Sequence, residues 1–352
     1  MPVINELTKV IALATSTITP NGVDDDDILA RYIESRGHEY RIVVWNDPSV
    51  DWHIFDMVVI RSTWDYHHSI EEFFLWIERV SRQTTIVNCP QTIKFLVDKR
   101  YLLHFLSLGV PVVPTSIGAA GEILDFGRVC NERGWSDVIV KPAVSLGSFK
   151  VRRFAYPADR NAGQAHIDAL DAYGGAVIQP FVEDLVTKGE RSLIYIEGRY
   201  SHAVLRGPMT PGSETPLAQL HEASETEKSV AGQVLGALPA ATIFARVDLA
   251  ATPQGPLLTE CEAVEPRLFF GLRPKCAEHL TDALFRRLSN VKAKINQDCR
   301  AALTSHTPSN RPAREHLKYF PQNGGYPSRP PSRTPDTLYA ASGLVDDELE
   351  VN

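Results

Sequence analysis

The stretch ARVDLAATPQGPLLTECE at residues 245–262 decides the fold of this 352-residue chain. Aliphatic and polar residues alternate on both sides of Thr252-Pro253-Gln254-Gly255, which contains the turn-favouring residues proline and glycine. Alternation with a period of two is typical of a half-buried β-strand. The stretch therefore predicts a β-hairpin in an antiparallel sheet, with its turn centred on Gln254.

One face of this hairpin gathers charge. The predicted register places Asp248 opposite Glu260, and Arg246 opposite Glu262, at cross-strand separations of roughly 5 Å. Carboxylates this close repel one another unless a cation lies among them, and their oxygens suit Mg²⁺. An ordinary solvated face with an Arg–Glu pair is the alternative. The opposite face is predicted to be apolar and packed on a core, and it carries Val247, Leu249, Leu257, Thr259 and Cys261.

A lysine ends another predicted strand. Lys141 follows the apolar run at 138–140 and precedes AVSLGS at 143–148, a small-residue loop whose backbone N–H groups could cover phosphates. A surface lysine is the alternative interpretation. The sequence contains no GxxxxGK(S/T) loop, GxGxxG fingerprint, GxSxG elbow or HExxH helix. A nucleotide site in this chain must therefore be of another kind.

Composition narrows the class of protein further. The formal net charge is -7, and no long basic cluster offers an electrostatic surface for nucleic acid. No apolar run is long enough to span a bilayer, and we expect the apolar stretch near the N-terminus to be a first strand rather than a secretory leader. The cysteine count of 5 is odd, without CxxC pairs, which favours reduced thiols. We expect a cytoplasmic protein with small-molecule partners, no nucleic-acid or membrane partner, and a homodimer as an option.

The N-terminal region alternates β-branched runs with helical patterns, which predicts a parallel α/β unit. Its strands are expected at 9–15, 40–45 and 57–61, and its helices at 26–36 and 70–81. The segment RSTWDY at 61–66 follows the third strand, where ligands of such sheets bind. Beyond residue 115 the strands appear antiparallel, with a hairpin expected at 196–199.

Taken in order, these elements resemble the ATP-grasp superfamily over roughly residues 8–288. Within it the chain is similar to the group of glutathione synthetase, the ribosomal-protein glutamate ligase and the D-cycloserine-forming ligase, the last of which also has an RSTWDY type of segment. The segments that carry the resemblance are VDKRYLLHFL at 97–106, VIVKPAVSLGS at 138–148, QPFV at 179–182, GERSL at 189–193, SHAV at 201–204, ARVDLA at 245–250 and LLTECEAVEPRLFF at 257–270.

The resemblance implies roles for individual residues. Phosphates of ATP would be held by Lys99 and Lys141, with Ser148 in the covering loop. The adenine would be read at Gln179, Phe181 and Val182, and the ribose by Glu190, with Glu183 as an alternative. The implied ligands of Mg²⁺ are Asp248, Glu260 and Glu262, and the implied catalytic arginines are Arg246 and Arg206.

The resemblance also implies an α/β ATP-grasp fold. Its expected parts are an N-terminal domain at 1–115, a lid subdomain at 116–180, a C-terminal subdomain with an antiparallel sheet and the metal site at 181–290, and a polar, disordered tail at 291–352. The implied activity is a carboxylate–amine ligase that uses ATP, passes through an acyl phosphate and forms an amide-type C–N bond. A small-molecule kinase and a non-catalytic ATP sensor are the alternatives.

Two features near the expected substrate site need separate interpretation. RGPMTPGSETP at 206–216 keeps Arg206 but lacks the later arginine of related ligases, so we expect a divergent acceptor site. Arg61 could bind a substrate carboxylate and Asp65 an ammonium, together with Ser62 and Thr63, although a helix cap is the alternative for those two hydroxyls.

Two further groups are predicted to be solvent-exposed. The acidic run DDDD at 24–27 is expected to be a solvated start of a helix. The pair His67-His68 is expected at the surface rather than at a metal.

Overall fold

The computed structural model describes residues 8–207 and 218–304, with side chains as far as residue 290. The chain divides into two compact units, Met1–Asn290 and Val291–Asn352. In the part of the chain that is described, no helix has the length and apolar character needed to cross a membrane.

The first sheet is parallel throughout, as predicted, in the order β2-β1-β3-β4. The central strands β1 and β3 are buried along almost their whole length because helices pack on both faces, as is usual for parallel sheets, whereas the edge strand β2 is partly exposed. Ile11 and Leu13 of β1 pack with the first helix, whereas Ala12 and Ala14 face the aromatic residues of the second. The elements are β1 Val10–Thr15, α1 Asp24–Ser35, β2 Glu39–Val44, β3 Met57–Ser62, α2 Ile70–Ser81, β4 Thr85–Val87, α3 Pro90–Val97 and α4 Tyr101–Ser107.

A second sheet is antiparallel, in the order β5-β8-β6-β7. Two helices pack on one face of it around Phe126, Val138 and Ile178. Sequence reasoning missed the short strand β5 and both helices because few apolar residues mark them. The elements are β5 Ser116–Ala119, α5 Phe126–Arg133, β6 Asp137–Pro142, β7 Arg152–Ala155, α6 Arg160–Ala169 and β8 Gly175–Pro180.

The third sheet has five strands in the order β11-β10-β9-β12-β13, and its pairs are antiparallel. The hairpin predicted at 196–199 is confirmed, since Arg199 pairs with Ile196. Its elements are α7 Glu183–Thr187, β9 Glu190–Ile196, β10 Arg199–Arg206, β11 Ala218–His221, α8 Glu225–Gly236, β12 Phe244–Thr252, β13 Gly255–Glu262 and α9 Pro274–Thr304.

The last helix corrects one expectation. α9 runs from Pro274 to Thr304, so residues 291–304 are helical and not part of a disordered tail. No proline or glycine interrupts 291–304, and alanine, lysine and glutamine there favour a helix. The rest of the predicted tail, 305–352, lies outside the described residues, as do 208–217.

One side chain joins the first and third sheets. The amide nitrogen of Asn88 donates hydrogen bonds to the carbonyls of Phe244 and Ala263, at 2.9 and 2.8 Å. Its oxygen accepts one from the backbone N–H of Ile243. Because Asn88 is buried, all its polar atoms need such partners, and the contact fixes the charged hairpin relative to the N-terminal sheet.

Candidate active site

The charged residues of the hairpin β12/β13 pair as predicted, but the turn and the register beside it differ from the prediction. Asp248 pairs with Glu260, and Arg246 pairs with Glu262. The turn is one residue tighter than predicted, because Thr252 pairs with Gly255, and a β-bulge after Asp248 restores the register. The bulge corrects the predicted position of Thr259, whose hydroxyl lies on the charged face and donates to Glu190 rather than packing in the core.

Arg246 binds two of the acids. Its Nε is 3.0 Å from an oxygen of Asp248, and its Nη2 bonds both Asp248 and Glu262. Asp248 is fully buried, yet Arg206 and Arg246 outweigh the effect of burial and hold the pKa of its carboxyl below the usual value. Ser192 adds a hydrogen bond of 2.7 Å. Asp248 is thus held as a charged carboxylate.

The acids together form a potential cation site. One carboxylate oxygen from each of Asp248, Glu260 and Glu262 lies within 4.8 Å of the others. Burial raises the pKa of Glu262 to about 8, and Glu260 and Asp248 add to this shift while Arg246 opposes it. Negative charge therefore exceeds what the arginines neutralise, and the three oxygens suit a hard divalent ion.

Glu190 belongs to this cluster rather than to a separate pocket. Arg206 bonds Glu190 and also Asp248, the latter at 2.8 Å. Burial raises the pKa of Glu190, which Arg206 opposes. The expected ribose role of Glu190 has no support in this geometry, since its carboxylate already binds Arg206 and Thr259. Glu183, the alternative, is exposed at the start of α7.

Two lysines approach the acids from the second sheet and from the segment before α4. The ammonium of Lys99 donates to the carbonyl and hydroxyl of Ser145, at 2.8 and 3.1 Å, and lies 3.6 Å from Glu260. Burial lowers the pKa of Lys141, while Glu260 and Glu190 oppose this effect. Lys99 therefore lies beside the acid cluster, and Lys141 is close enough to Glu260 and Glu190 to be affected by their charge.

The predicted adenine-binding residues lie at the end of β8. Gln179 is buried and donates to the hydroxyl of Thr115 at 2.9 Å. The N–H of Phe181 donates to the carbonyl of Asp137, and the guanidinium of Arg153 lies 3.5 Å from the centre of its ring. Val182 is half-buried at the start of α7, and Ser148 is exposed in its loop.

The N-terminal residues are engaged in internal contacts. Arg61 is 2% exposed and its Nε bonds Asp26 at 2.9 Å, which does not support a role in binding a substrate carboxylate. Ser62 bonds the same aspartate, and Thr63 is buried. Asp65 accepts hydrogen bonds from Thr17 and Trp45, at 2.9 and 2.6 Å, so its carboxylate is also occupied.

The acidic run at 24–27 is not a solvated helix start throughout. Asp26 is buried against Arg61, and Asp25 accepts hydrogen bonds from three successive backbone N–H groups, of residues 268–270. The expectation of solvation was therefore wrong for both residues. A composition rule could not foresee partners more than 200 residues away in the chain.

The two neighbouring histidines differ in solvent exposure. His68 is exposed as predicted, but His67 is 9% exposed and packs near Phe149, with ring centres 5.0 Å apart. Burial lowers the pKa of His67 to about 4, and the positive charge of Lys99 contributes. The predicted surface position of His67 was wrong, because the loop containing Phe149 covers it.

Sequence reasoning missed part of the pocket beside the acids. Its lining includes Lys99, Glu260 and Glu262, which were predicted site residues, and Tyr66, Ser145 and Glu265, which were not assigned roles. Glu265 follows the metal-ligand motif by three residues, and Tyr66 ends the RSTWDY segment. These two positions in the sequence were the signals that could have identified Glu265 and Tyr66 as pocket residues.

Comparison with known proteins identifies the family. Residues 11–88 match the family model of the D-cycloserine synthetase DcsG N-terminal domain. The cycloserine biosynthesis protein DcsG of Streptomyces lavendulae is 32% identical over 302 residues, covering 79% of this chain and 99% of its own length. The chain belongs to the DcsG family. The crystal structure of D-cycloserine synthetase DcsG matches this DcsG-family chain with a TM-score of 0.72 and 30% identity, covering 79% of it and 99% of that structure.

More distant similarities agree with this membership. A glutathione synthetase of Rhodopseudomonas palustris is 25% identical over 222 residues, covering 61% of the DcsG-family chain and 68% of its own length. D-alanine–D-alanine ligase from Bacillus anthracis complexed with ATP has a TM-score of 0.58 at 11% identity, covering 82% and 99% of the two chains, which shows a shared fold.

These findings confirm the main predictions. The DcsG-family chain has the ATP-grasp fold and is an ATP-dependent carboxylate–amine ligase for small substrates. The kinase and sensor alternatives are therefore set aside.

Proposed function

We propose that this ligase converts the carboxylate of a small amino-acid-like substrate into an acyl phosphate and joins it to an amine, with D-cycloserine formation as the first candidate reaction. The carrying observation is the group of Asp248, Glu260 and Glu262, whose oxygens lie within 4.8 Å of one another beside two lysines and two arginines. Cationic and metal-binding groups gathered in this way would neutralise the charge that develops on a transferred phosphoryl group, which supports the proposal.

The acid cluster fits Mg²⁺ on its own chemistry. Three carboxylates supply hard oxygen donors, and the raised pKa of Glu262, to about 8, reflects burial and like charges that a divalent cation would relieve. Asp248, Glu260 and Glu262 would hold the metal. When bound with ATP, Mg²⁺ supplies charge neutralisation for the transferred phosphoryl group.

The remaining residues bind and orient. Lys99 and Lys141 would hold nucleotide phosphates as point charges, under the loop that contains Ser148. Arg246 keeps Asp248 and Glu262 in place through hydrogen bonds, so its role is positioning as well as charge stabilisation. Arg206 does the same for Glu190 and Asp248. No serine or cysteine nucleophile is required, because the amine attacks the activated carbonyl.

The nucleotide base and sugar contact a separate part of the site in this proposal. Gln179, Phe181 and Val182 would border the adenine, and Glu183 replaces Glu190 as the ribose residue. In support of this role, the carboxylate of Glu183 is exposed, whereas that of Glu190 is bonded to Arg206 and Thr259. The subdomain boundaries at 115, 180 and 290, the cytoplasmic location and the homodimer stay predictions.

The decisive experiment traps the intermediate. With ATP, Mg²⁺ and a panel of amino-acid-like carboxylates, hydroxylamine should convert the acyl phosphate into a hydroxamate while ADP is released. Only an acylating intermediate gives this product, whereas phosphorylation of a hydroxyl gives a stable ester. Substrate-dependent ADP release that never yields hydroxamate would contradict the proposed reaction.

A further inference from the structure

The pocket beside the acid cluster contains one carboxylate without an assigned role. Glu265 is 4% exposed, lies three residues beyond Glu262, and lines this pocket together with Lys99. The hydroxyl of Tyr66 donates to one of its oxygens, Oε1, at 3.3 Å. The other oxygen, Oε2, is buried without a hydrogen-bond partner.

Nearby cations are already bound elsewhere. Arg246 donates to Asp248 and Glu262, and Lys99 donates to Ser145. Neither donates a hydrogen bond to the carboxylate of Glu265 in the described part of the chain. A buried carboxylate oxygen without a partner loses hydration and gains nothing in return, so it requires an explanation. Glu265 therefore lines the pocket beside the acid cluster with one acceptor oxygen that lacks a donor among the described residues.

The position of Glu265 is fixed by the N-terminal domain. Trp64 donates from its indole nitrogen to the backbone carbonyl of Glu265 at 3.4 Å, and the guanidinium of Arg267 lies 4.9 Å from the centre of the Trp64 ring. Tyr66 holds the side chain from the same segment. The carboxylate is thus held in place before a ligand arrives, which favours selective recognition.

The chemistry of this arrangement selects one class of ligand group. A carboxylate and a phenol oxygen attract an ammonium and repel a carboxylate or phosphate. The neighbouring acids add to the negative potential, since burial and the charge of Glu262 raise the pKa of Glu265 well above its usual value. A substrate carboxylate would instead lie toward the lysines and the metal-binding oxygens.

We infer that Glu265, oriented by Tyr66, recognises the ammonium group of the substrate and of the product. This inference rests on the proposed function and deepens it, because it requires an amino group on the molecule whose carboxylate is activated. It also assigns amine recognition to Glu265 rather than to Asp65, whose carboxylate is bonded to Thr17 and Trp45.

Binding calorimetry on the full-length protein with ADP and Mg²⁺ tests the inference. The probes are D-cycloserine, which has a primary amino group, and isoxazolidin-3-one, which is the same ring without it. The wild type should bind D-cycloserine at least about tenfold more tightly, as expected for a charged hydrogen bond. Glu265→Gln keeps the shape but removes the charge, and it should bind both probes with nearly equal affinity.

Two comparisons keep the result interpretable. Tyr66→Phe removes only the phenol, and it should reduce the discrimination by about threefold, as expected for a neutral hydrogen bond. Glu72→Gln, at an exposed position on α2, should leave the discrimination between the two probes unchanged. ADP affinity should stay unchanged in every variant, which shows that the nucleotide site is intact.

The outcomes separate this inference from the proposed reaction. Equal or absent binding of the two probes by the wild type, or full discrimination by Glu265→Gln, would overturn the role of Glu265. Hydroxamate formation can succeed or fail independently of that result, because it depends on the acid cluster and not on the amino group of the probe.

Discussion

Among the described residues, the buried arginine–carboxylate pair of the N-terminal sheet and the acid cluster of the hairpin differ in their charge balance. In the N-terminal domain, Arg61 is matched by Asp26, and the same carboxylate accepts hydrogen bonds from Ser62 and the backbone of Val23. In the acid cluster, carboxylates exceed guanidiniums, since Arg246 and Arg206 face Asp248, Glu260, Glu262 and Glu190.

The difference in charge balance indicates which of the two groups binds ligands. The charges of Arg61 and Asp26 balance each other, so we interpret this pair as structural, although Nη1 of Arg61 has no hydrogen-bond partner among the described residues. The acid cluster has more carboxylates than arginines, and a metal ion can neutralise this excess negative charge, while the neighbouring Lys99 and Lys141 are available to the phosphates of a nucleotide. Burial alone does not separate the two groups, because Asp26 and Asp248 are both almost completely inaccessible.

The largest expected effect comes from reducing the excess charge. Glu262→Gln should lower substrate-dependent ADP release by about 100-fold or more, because a metal-binding carboxylate is lost. The thermal midpoint without Mg²⁺ should stay the same or rise, since like-charge repulsion is reduced. Turnover can be measured by a coupled ADP assay against Glu72→Gln as control. If Glu262→Gln kept the turnover of the wild type at low Mg²⁺, the hairpin acids would be interpreted as an ordinary charged surface instead.

The opposite pattern is expected in the matched pair. Asp26→Asn leaves Arg61 buried without a counter-charge and should lower the free energy of unfolding by about 3 kcal/mol, measured by urea denaturation. The folded fraction should retain its ADP release. Replacing both partners, Asp26→Leu with Arg61→Met, should recover much of the stability. A large loss of turnover with unchanged stability would instead place Arg61 in the substrate site.

The smallest effect is a dependence on pH. The pKa of Glu262 rises from 4.5 to about 8 on folding, so between these values the native state binds more protons than the unfolded state. Its contribution to stability is complete below 4.5 and is lost as the pH rises through about 8. Without Mg²⁺, the thermal midpoint of the wild type should therefore fall relative to Glu262→Gln over this range. Parallel pH profiles for the two proteins would argue against the shifted pKa.

Local patterns predicted what depends on local residues. The parallel N-terminal sheet, the hairpin at 196–199 and the pairing of Asp248 with Glu260 followed from alternation and turn residues. The predicted register of the hairpin was correct for the pairs of Arg246 and Asp248 but wrong between Leu249 and the turn, because alternation alone could not predict the bulge that places Thr259 on the charged face.

Long-range partners could not be predicted in the same way. Asp25 binds backbone groups of 268–270, and Tyr66 reaches Glu265, across separations that no periodicity encodes. The segment 61–66 was correctly placed near the pocket, but only Tyr66 of the residues discussed there lines it. Which side chain turns inward depends on tertiary packing, such as the burial of Arg61 between Phe244 and Phe270.

Because of the bulge after Asp248, the contacts of the site can be changed by deleting one residue as well as by substituting one. It places two consecutive side chains on one face, so that Thr259 bonds Glu190 while Glu260 joins the cation site. Deleting Thr259 would restore regular alternation and leave Asp248 opposite Glu260, because Leu249 already pairs with Leu258. A single-residue deletion could thus detach Glu190 from its hydroxyl donor while the three metal-binding carboxylates keep their register.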